Sequence, residues 1–349
     1  MAVNNELIKD DLYEAVNGEW LKTAKIPDDK PATGGFNDLV DEIDKQLMYD
    51  FDAYATGKEK SDDSRFNEMI KLYRLAKKFD WRKKVGPQPL KRMLASVENL
   101  NSYEDYQSQW KNWILAGMPS PISFDIDADM KNATVYALFA SSPSLILPDK
   151  SYYEAEKKAQ HDQLLQLWSS MVEALMDKLG YSKEEAKKII DDAIKFDALL
   201  APNVKSAEEA ADYSKMYNPQ TVAELASATD QLDIAAIIKQ LVGEEPEKVI
   251  VTEPEYFKAL NKILQGNFEL FKNWALIRVI RENASYLDDE MREINGRYGR
   301  ALSGSKKPVS QRKFAFYLAR DMFSQVAGDY YGKKYFGPQA KADVHHCLL

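Results

Sequence analysis

Residues 164–185, LLQLWSSMVEALMDKLGYSKEE, contain the end of one helix and the beginning of the next. Apolar residues recur there at spacings of three and four, which places them on one face of an α-helix. They are Leu164, Leu165, Trp168, Met171, Val172, Leu175 and Leu179. Gly180 can end this helix, because glycine readily adopts the left-handed conformation. Since Ser182 and Glu185 have capping-box spacing, the stretch predicts a helix over 152–179 and another that begins at Ser182.

The same helical spacing continues along most of the chain. The helix that begins at Ser182 is expected to reach about Leu200. Further helices are predicted over 36–54, 67–79, 103–116, 206–215, 219–228, 233–242, 268–301 and 310–335. Asn267 and Ser310 are suitable N-caps for the last two, because their side chains can accept hydrogen bonds from the first amide groups of a helix. The pattern therefore predicts a mainly helical chain.

One region alternates with a period of two instead. In 122–126 and 135–139, apolar side chains occupy every second position on either side of a polar connection. Two such runs predict a β-hairpin over about 121–141. A short apolar run, Val249–Val251, is predicted as a lone extended segment. The predicted fold class is mainly α: one large multi-helix domain over 1–349 with one small β-hairpin, and with two lobes as an alternative.

Composition and charge exclude several classes of function. Of 349 residues, 47 are Lys or Arg and 55 are Asp or Glu, so the formal net charge is −8. A negative surface repels phosphate, and we expect no nucleic-acid partner. No run of about 18 apolar residues is present, so we expect no membrane partner. The amino terminus has no apolar run of signal-peptide length, and the single cysteine, Cys347, excludes an intramolecular disulfide. These features predict a cytoplasmic protein.

Histidine placement argues against a zinc site in this chain. A helical HExxH motif needs two histidines four residues apart, so that both imidazoles reach the metal from one face. The three histidines, His161, His345 and His346, do not have that spacing. Together with Cys347, the last two could bind a metal by composition, although adjacent side chains at a chain end seldom converge on one ion. We therefore expect no catalytic residue, no metal ligand and no cofactor in this chain.

Other candidate features leave alternatives open. The carboxylate pair Asp191 and Asp192 has apolar neighbours, but no second feature marks it as an acid–base pair. The aromatic pairs, such as Tyr152 with Tyr153 and Tyr330 with Tyr331, fit either helix packing or the wall of a peptide-accepting cavity. The residues alone predict an α-rich domain and no particular reaction.

Three segments resemble a known family. DLYEAVNGEWLKTAKIP at 11–27 is similar to the opening signature of the neprilysin-like zinc metalloendopeptidases. LILPDKSYY at 145–153 and VAGDYYGKKYF at 326–336 resemble two further segments of that family, in the same order and near the usual separations. With its single cysteine and without a membrane anchor, the chain resembles the bacterial endopeptidase O (PepO) branch of the family.

The resemblance implies one half of a two-domain peptidase. In the family, a thermolysin-like domain carries HExxH and zinc, while a helical cap domain encloses the peptide substrate. We expect 1–349 to be the amino-terminal, substrate-enclosing domain, with the thermolysin-like catalytic domain absent. Zinc is then expected in the full-length family member and not in this chain. The implied partners are peptides and the missing catalytic domain, and an uncovered face could lead to self-association.

The resemblance also implies a substrate-binding segment near the amino terminus. Secreted members place arginines that receive a substrate's terminal carboxylate in the segment that matches 30–42, where this chain has Ala32 and Val40. Neither can bind a carboxylate bidentately, so internal cleavage of peptides is expected. Phe36 and Asn37 are the candidate substrate-binding residues. Phe36 has an alternative interpretation, because it also fits an apolar stripe with Leu39, Val40, Ile43, Leu47 and Phe51.

The last residues differ from the family. Residues 340–344 still resemble it, whereas 345–349, HHCLL, do not. We expect a frameshift or premature stop, and thus a truncated fragment that is inactive alone. Two alternatives remain: ordinary divergence with a separate catalytic chain, and a non-catalytic helical module that binds peptides or partners.

Overall fold

A computed structural model describes residues 3–337 and residue 339, and it confirms the mainly α fold class. Within these residues the helices are α1 (Leu12–Leu21), α2 (Gly35–Thr56), α3 (Ser64–Ala76), α4 (Phe79–Val85), α5 (Gln88–Glu98), α6 (Tyr103–Ser108), α7 (Trp110–Leu115), α8 (Lys158–Leu179), α9 (Lys183–Leu200), α10 (Ala207–Ala210), α11 (Val222–Ala226), α12 (Ile234–Val242), α13 (Pro254–Leu264), α14 (Phe268–Ala284), α15 (Asp289–Asn295), α16 (Arg297–Ser303), α17 (Gln311–Met322) and α18 (Ser324–Tyr335). The strands are β1 (Ser123–Asp129), β2 (Asn132–Ser141), β3 (Pro219–Gln220) and β4 (Val249–Val251). Short 3-10 turns cover Lys150–Tyr153, Ala155–Lys157, Ala201–Asn203 and Tyr213–Met216.

The chain divides into two compact units. The first unit combines the residues up to Lys84 with those from Gly296 onward, so it unites the beginning and the end of the chain. Its core is formed by α2, α3, α17 and α18. The ring of Phe51 on α2 lies 5.2 Å from that of Phe316 on α17 and 5.6 Å from that of Tyr73 on α3. Aromatic contacts thus join elements that are far apart in sequence.

The second unit, Val85–Asn295, is built around α14. This helix is buried on most sides and packs against α9, where the ring of Phe196 lies 5.3 Å from Trp274 and 5.8 Å from Phe271. Between the same two helices, Asn273 donates a hydrogen bond to Asp192 at 2.9 Å. The second unit therefore has a continuous aromatic core of its own.

A small sheet belongs to the second unit, with the strand order β1-β2-β4-β3. Strands β1 and β2 form the antiparallel hairpin that the alternating pattern predicts. Strand β4 is not the lone segment expected, because it pairs in parallel with β2 and antiparallel with β3. All three β4 residues are buried, and buried backbone groups need ladder partners.

The residues predicted to begin or end helices are confirmed at several positions. Gly180 ends α8 with a φ of 93°, and Ser182 with Glu185 forms the predicted capping box of α9. Ser310 caps α17 by accepting a hydrogen bond from the amide of Lys313. Short polar side chains at these positions therefore identify helix ends correctly.

The predicted long helices are divided in the structure. The single helix over 268–301 is wrong, because Asp288 accepts a hydrogen bond from the Met291 amide at 2.8 Å and starts α15. The helix over 310–335 is divided at Phe323, whose φ of −121° and ψ of 40° are not helical. Apolar periodicity continues across such breaks, so it does not reveal them.

Other predicted helices are shorter than expected. The helix over 152–179 begins only at α8, and the segment over 103–116 is two helices, α6 and α7. The helices predicted over 206–215 and 219–228 reduce to α10 and α11, the second preceded by β3. Asn267 occupies the N-cap position of α14 without a capping hydrogen bond. Its side chain donates instead to the carbonyl oxygen of Ile263 at 3.0 Å.

Candidate functional site

Phe36 and Asn37 lie in the first turn of α2, in the first unit. Phe36 is 88% exposed, and Asn37 is half-buried. The N-cap residue, Gly34, has no side chain that could bond the first amide groups of the helix. The structure therefore places both candidate residues at an exposed helix start, where Phe36 is accessible to a ligand or partner.

The apolar stripe of α2 is divided between core and surface. Leu47 and Phe51 are buried, whereas Leu39 and Val40 are 51% and 49% exposed. The alternative interpretation of Phe36 as a core residue is therefore wrong. Within the described residues, α2 is buried against other elements only from Asp44 onward.

A buried carboxylate fixes α2 against α17. Asp44 accepts hydrogen bonds from Tyr317 Oη at 2.7 Å and from Arg320 Nη1 at 3.0 Å. Burial and the Asp44 carboxylate raise the pKa of Tyr317 above its usual value. Asp44 lies three residues before Leu47, on the buried face, and this position indicates a buried carboxylate without identifying its partners.

The third family-like segment, 326–336, is held on α2 in a similar way. Buried Asp50 accepts hydrogen bonds from Lys334 Nζ at 2.6 Å and from Tyr335 Oη at 2.7 Å. Burial and the Asp50 carboxylate raise the pKa of Tyr335 to about 12. The segment therefore fixes the orientation of the helix that carries Phe36.

Lys30, the single cation in the segment 30–42, is paired within the chain. Ala32 and Val40, the positions at which the family resemblance implies arginines in secreted members, are both exposed. Lys30 forms an ion pair with Asp41, and Lys313 Nζ lies 3.6 Å from the same carboxylate. Although burial opposes ionisation, both lysines hold the pKa of Asp41 below its usual value.

Exposed apolar side chains are concentrated in the first 40 residues. We call this set the amino-terminal apolar surface: Leu12, Tyr13, Val16, Leu21, Ile26, Phe36, Leu39 and Val40. Helix α1 contributes four of them and has only Ala15 and Gly18 buried. These eight exposed apolar side chains come from one stretch of the chain, and α1 contributes almost nothing to the core.

The second family-like segment, 145–153, is tied to the interior of the second unit. Tyr153 Oη donates a hydrogen bond to Asp197 on α9, and the Ile146 amide donates to the same carboxylate at 3.0 Å. Asp149 accepts from the Ala207 amide at 2.7 Å. Burial raises the pKa of Asp197 to about 6, against the opposing effect of the Tyr153 hydrogen bond. The segment thus has a structural role that its composition did not reveal.

The other titratable candidates lie apart from one another. His161 on α8 contacts Asp162 at 2.9 Å and the ring of Tyr153, with a centroid distance of 5.5 Å. His345, His346 and Cys347 lie outside the described residues. Within residues 3–337 and 339, no group of three or more His, Cys, Asp or Glu side chains is arranged to hold a metal ion.

The carboxylate pair 191–192 is structural. Asp192 is buried and accepts hydrogen bonds from Lys188 at 3.1 Å, from Lys195 at 3.2 Å and from Asn273. Although burial opposes ionisation, these donors hold the pKa of Asp192 below its usual value. Asp191 is exposed, so the two carboxylates do not face one another as an acid–base pair.

A mainly α fold with these three segments in this order is that of a PepO-type fragment of the neprilysin-like family. The chain belongs to peptidase family M13, whose family model matches residues 8–348. Among the described residues, no helix combines the length and the apolar character that crossing a bilayer requires.

Several bacterial relatives match nearly the whole chain. A putative zinc metalloproteinase of Streptococcus gordonii is 36% identical over 343 residues, which are 98% of this chain and 61% of that protein. The neutral endopeptidase of Lactococcus lactis subsp. lactis is 38% identical over 339 residues, which are 97% of this chain and 53% of the enzyme. This chain therefore spans roughly half to three fifths of the length of these relatives.

Solved structures show the same fold. The PepO crystal structure from Lactobacillus rhamnosis matches with a TM-score of 0.87 and 31% identity, over 97% of this chain and 53% of that one. The zinc metalloprotease Zmp1 of Mycobacterium tuberculosis, in complex with an inhibitor, matches with a TM-score of 0.83 and 24% identity, over 94% of this chain and 50% of that one. The second likeness supports the fold alone.

Proposed function

We propose that this chain is the amino-terminal, helical half of a zinc-dependent endopeptidase that cleaves peptides internally. The observation that carries the proposal is the match to neutral endopeptidases over 97% of this chain but only 53% of their length. In this proposal, zinc activates a water molecule to attack the peptide carbonyl. The zinc belongs to the part of the enzyme beyond the matched region.

Within such an enzyme, residues 1–349 would enclose the peptide, and Phe36 and Asn37 would contact it. The 88% exposure of Phe36 supports this role, because a rigid aromatic ring offers contact area with little loss of entropy. The ion pairs of Lys30 and Lys313 with Asp41 leave those cations engaged. This supports internal cleavage over recognition of a terminal carboxylate.

The α1 part of the amino-terminal apolar surface, Leu12, Tyr13, Val16 and Leu21, would pack against the remainder of the enzyme. Helix α1 has a capped start, since Asp11 accepts a hydrogen bond from the Glu14 amide, but it has almost no buried side chains. Apolar burial contributes about 25 cal/mol per Å², so covering several hundred Å² would stabilise an assembly by several kcal/mol. A capped helix without core contacts is therefore suited to an interface.

Reconstitution tests the proposal. The purified chain would be mixed with the part of the Lactococcus lactis neutral endopeptidase that lies beyond the matched region, with zinc and an internally quenched peptide. We expect hydrolysis by the mixture and none by this chain alone. Hydrolysis by this chain alone, with about one tightly bound zinc per chain, would overturn the proposal. So would an inactive mixture in which the two polypeptides associate and zinc is bound.

Matched variants separate assembly from substrate contact. Leu12→Ser and Val16→Ser should weaken association of the two polypeptides. Phe36→Ala should leave association unchanged and raise KM for the peptide. Tyr136→Ala provides the control, because Tyr136 is 80% exposed on the hairpin of the second unit and should change neither quantity.

The same surface predicts self-association when this chain is alone. Light scattering at micromolar concentration should show a dimer, and Leu12→Ser with Val16→Ser should shift it toward the monomer. A strictly monomeric chain would instead favour a self-sufficient module that binds peptides or partners without hydrolysis.

A cytoplasmic location is part of the proposal and is supported by the single cysteine in 349 residues. Cell fractionation followed by immunoblotting tests it. Recovery of the protein outside the cytoplasmic fraction would contradict it.

A further inference from the structure

Strand β1 is the outermost strand of the small sheet in the second unit, and within the described residues it pairs with β2 alone. The Thr252 amide donates to the carbonyl oxygen of Ala140 at 3.0 Å, so this residue of β2 directs its carbonyl group toward β4. Ala140 lies opposite Phe124 in the register of β1 and β2. Because backbone direction alternates along a strand, Phe124, Ile126 and Ala128 direct their N–H and C=O groups away from β2. The outer edge of β1 therefore offers backbone donors and acceptors to another strand.

Two carboxylates lie beside this edge. The Ile126 amide donates to Asp125 Oδ1 at 2.8 Å, and the Ala128 amide donates to Asp127 Oδ1 at 2.7 Å. These bonds stay within β1, which agrees with amides that point away from β2. Asp125 and Asp127 are exposed, and within the described residues neither forms an ion pair. A cationic partner can therefore draw the carboxylates away and leave both amides to the carbonyl groups of an added strand.

The two faces of β1 differ in chemistry. Asp125 and Asp127 share one face, because side chains alternate between the faces of a strand. Phe124 and Ile126 share the other face. Ile126 is 59% exposed, and the half-buried ring of Phe124 lies 6.3 Å from that of Trp110. A strand that pairs with β1 would therefore meet carboxylates on one face and an apolar surface on the other.

Both ends of β1 are fixed to the rest of the second unit. At its end, buried Asp129 forms an ion pair with Lys248 at 2.6 Å and accepts from Tyr217 Oη at 3.2 Å. Just before its start, the carbonyl oxygen of Pro121 accepts from Tyr256 Oη at 2.6 Å. A strand held at both ends has little conformational freedom left to lose, so its edge is preorganised for pairing.

We propose that the outer edge of β1 binds an extended peptide segment, in which basic and apolar residues alternate, by antiparallel strand addition. Basic side chains would lie opposite Asp125 and Asp127, and an apolar one would lie opposite Ile126. The charges select this partner over a second copy of the chain, because pairing of two β1 strands would place carboxylates opposite carboxylates. The inference does not rest on the proposed peptidase function, since binding at this edge needs no cleavage.

Capped five-residue peptides test the proposal on the full chain, with fluorescence anisotropy as the measurement. The probe Lys-Val-Lys-Val-Lys should bind saturably, and the acidic counterpart Glu-Val-Glu-Val-Glu should bind at least about tenfold more weakly. Because exposed charges are screened by salt, a higher salt concentration should weaken binding of the lysine peptide. Equal binding of the two peptides would overturn the assignment of a basic partner. Absence of binding at millimolar concentrations would overturn the proposal and show that the carboxylates only protect the edge.

Backbone methylation of the probe distinguishes strand addition from attraction between charges alone. In the expected register the valines direct their N–H groups toward β1, whereas the lysines direct theirs away from it. N-methylation of both valines should therefore weaken binding at least about tenfold. N-methylation of two of the lysines is the matched control and should have little effect. Equal effects of the two modifications would contradict strand addition.

Charge-removing variants locate the binding at β1. Asp125→Asn with Asp127→Asn keeps an acceptor beside each outward amide but removes both charges, so affinity for the lysine peptide should fall at least about tenfold. Asp177→Asn with Asp191→Asn is the matched control, because it removes two charges from exposed positions on α8 and α9. If the two double variants lose affinity equally, the peptide binds through the net charge of the protein and the proposal is wrong.

A proline variant tests the backbone of the edge. Ile126→Pro removes an outward amide that the pairing with β2 does not use, and proline is tolerated on edge strands. Binding of the lysine peptide should be lost, whereas Ile126→Ala, which keeps the amide, should retain most of it. Circular dichroism checks that both variants fold, and the methylated peptides decide the question if Ile126→Pro does not. Equal binding by two folded variants would contradict the proposal and leave the proposed peptidase function standing.

Discussion

Helices α1 and α14 differ in how much of each is buried in the hydrophobic core of its unit. Nine of the seventeen residues of α14 are buried, whereas only two of the ten residues of α1 are. Helix α1 nevertheless has the better start, because Asp11 caps it and Asn267 does not cap α14. Capping therefore specifies where a helix begins, and packing decides whether the surrounding unit is complete.

The two units differ in the same way. The second unit, Val85–Asn295, is one continuous segment with a core built around α14. The first unit needs α17 and α18 to complete a core with α2 and α3. It also carries the amino-terminal apolar surface. The second unit should thus be self-sufficient, and the first should depend on distant segments.

Dividing the chain should give the largest effect. A fragment over 85–295 should fold cooperatively, because it contains all of α14 and the elements around it. A fragment over 1–84 should remain unfolded, because it lacks Phe316 and Ala319, both fully buried in the intact chain. Circular dichroism during thermal unfolding measures both. A non-cooperative 85–295 fragment would contradict the comparison.

Single truncations should reproduce the contrast on a smaller scale. Phe271→Ala on α14 should lower the free energy of unfolding by about 3–5 kcal/mol, because Phe271 is fully buried. Leu12→Ala on α1 should change it by less than about 0.5 kcal/mol, since Leu12 is 61% exposed. Urea denaturation is the measurement. Similar losses for the two variants would mean that α1 is packed after all.

The contact between α2 and α17 should have an intermediate effect. Asp44→Asn weakens charge-assisted hydrogen bonds to Tyr317 and Arg320, so the free energy of unfolding should fall by about 2 kcal/mol. Asp191→Asn is the control, because Asp191 is exposed and should be nearly neutral. If both variants match the unaltered protein, the buried carboxylate does not hold the first unit together.

The smallest effect should appear in the pH dependence of stability. The folded pKa of Asp197 is raised to about 6, so the folded state binds a proton more readily than the unfolded state. This group should therefore stabilise the fold by about 1 kcal/mol as pH falls from 7 to 5. Asp197→Asn should remove that gain, as measured by urea denaturation at both pH values.

Asp52 in the first unit should respond in the opposite direction. Although burial opposes ionisation, hydrogen bonds from Lys77 and Tyr73 hold the pKa of Asp52 below its usual value. Its stabilising contribution is therefore present above the unfolded pKa and declines at lower pH. If Asp197→Asn and Asp52→Asn shift the pH profile in the same direction, the assigned environments are wrong.

Helix positions were predictable because apolar spacing and caps are local. Ser182, Glu185 and Gly180 lie within a few residues of the helix ends that they define. The hairpin was equally local. The break at Phe323 was not predictable, because Phe323 has ordinary side-chain character and only its backbone departs from the helix.

Pairings between distant segments could not be read from the sequence. The sequence around Val249–Val251 does not indicate that this strand pairs with β2. Likewise, the sequence around Tyr153 does not indicate that its hydroxyl donates a hydrogen bond to Asp197. The exposure of Phe36 also depends on which segments cover α2. The candidate residues Phe36 and Asn37 could therefore be selected only through family resemblance, and their contact with peptide remains a prediction.

The discontinuous first unit has a consequence for synthesis on the ribosome. Helices α2 and α3 leave the ribosome early, but α18, which completes their core, ends only at Tyr335, about 260 residues after the end of α3. At about 5–20 residues per second, this interval is roughly 13–50 s. During that time the α2 and α3 side chains that later become buried, including Phe51 and Met69, face solvent or a chaperone, while the whole of the second unit can fold. The segment that contains α2 and α3 is thus prone to aggregation until α17 and α18 emerge.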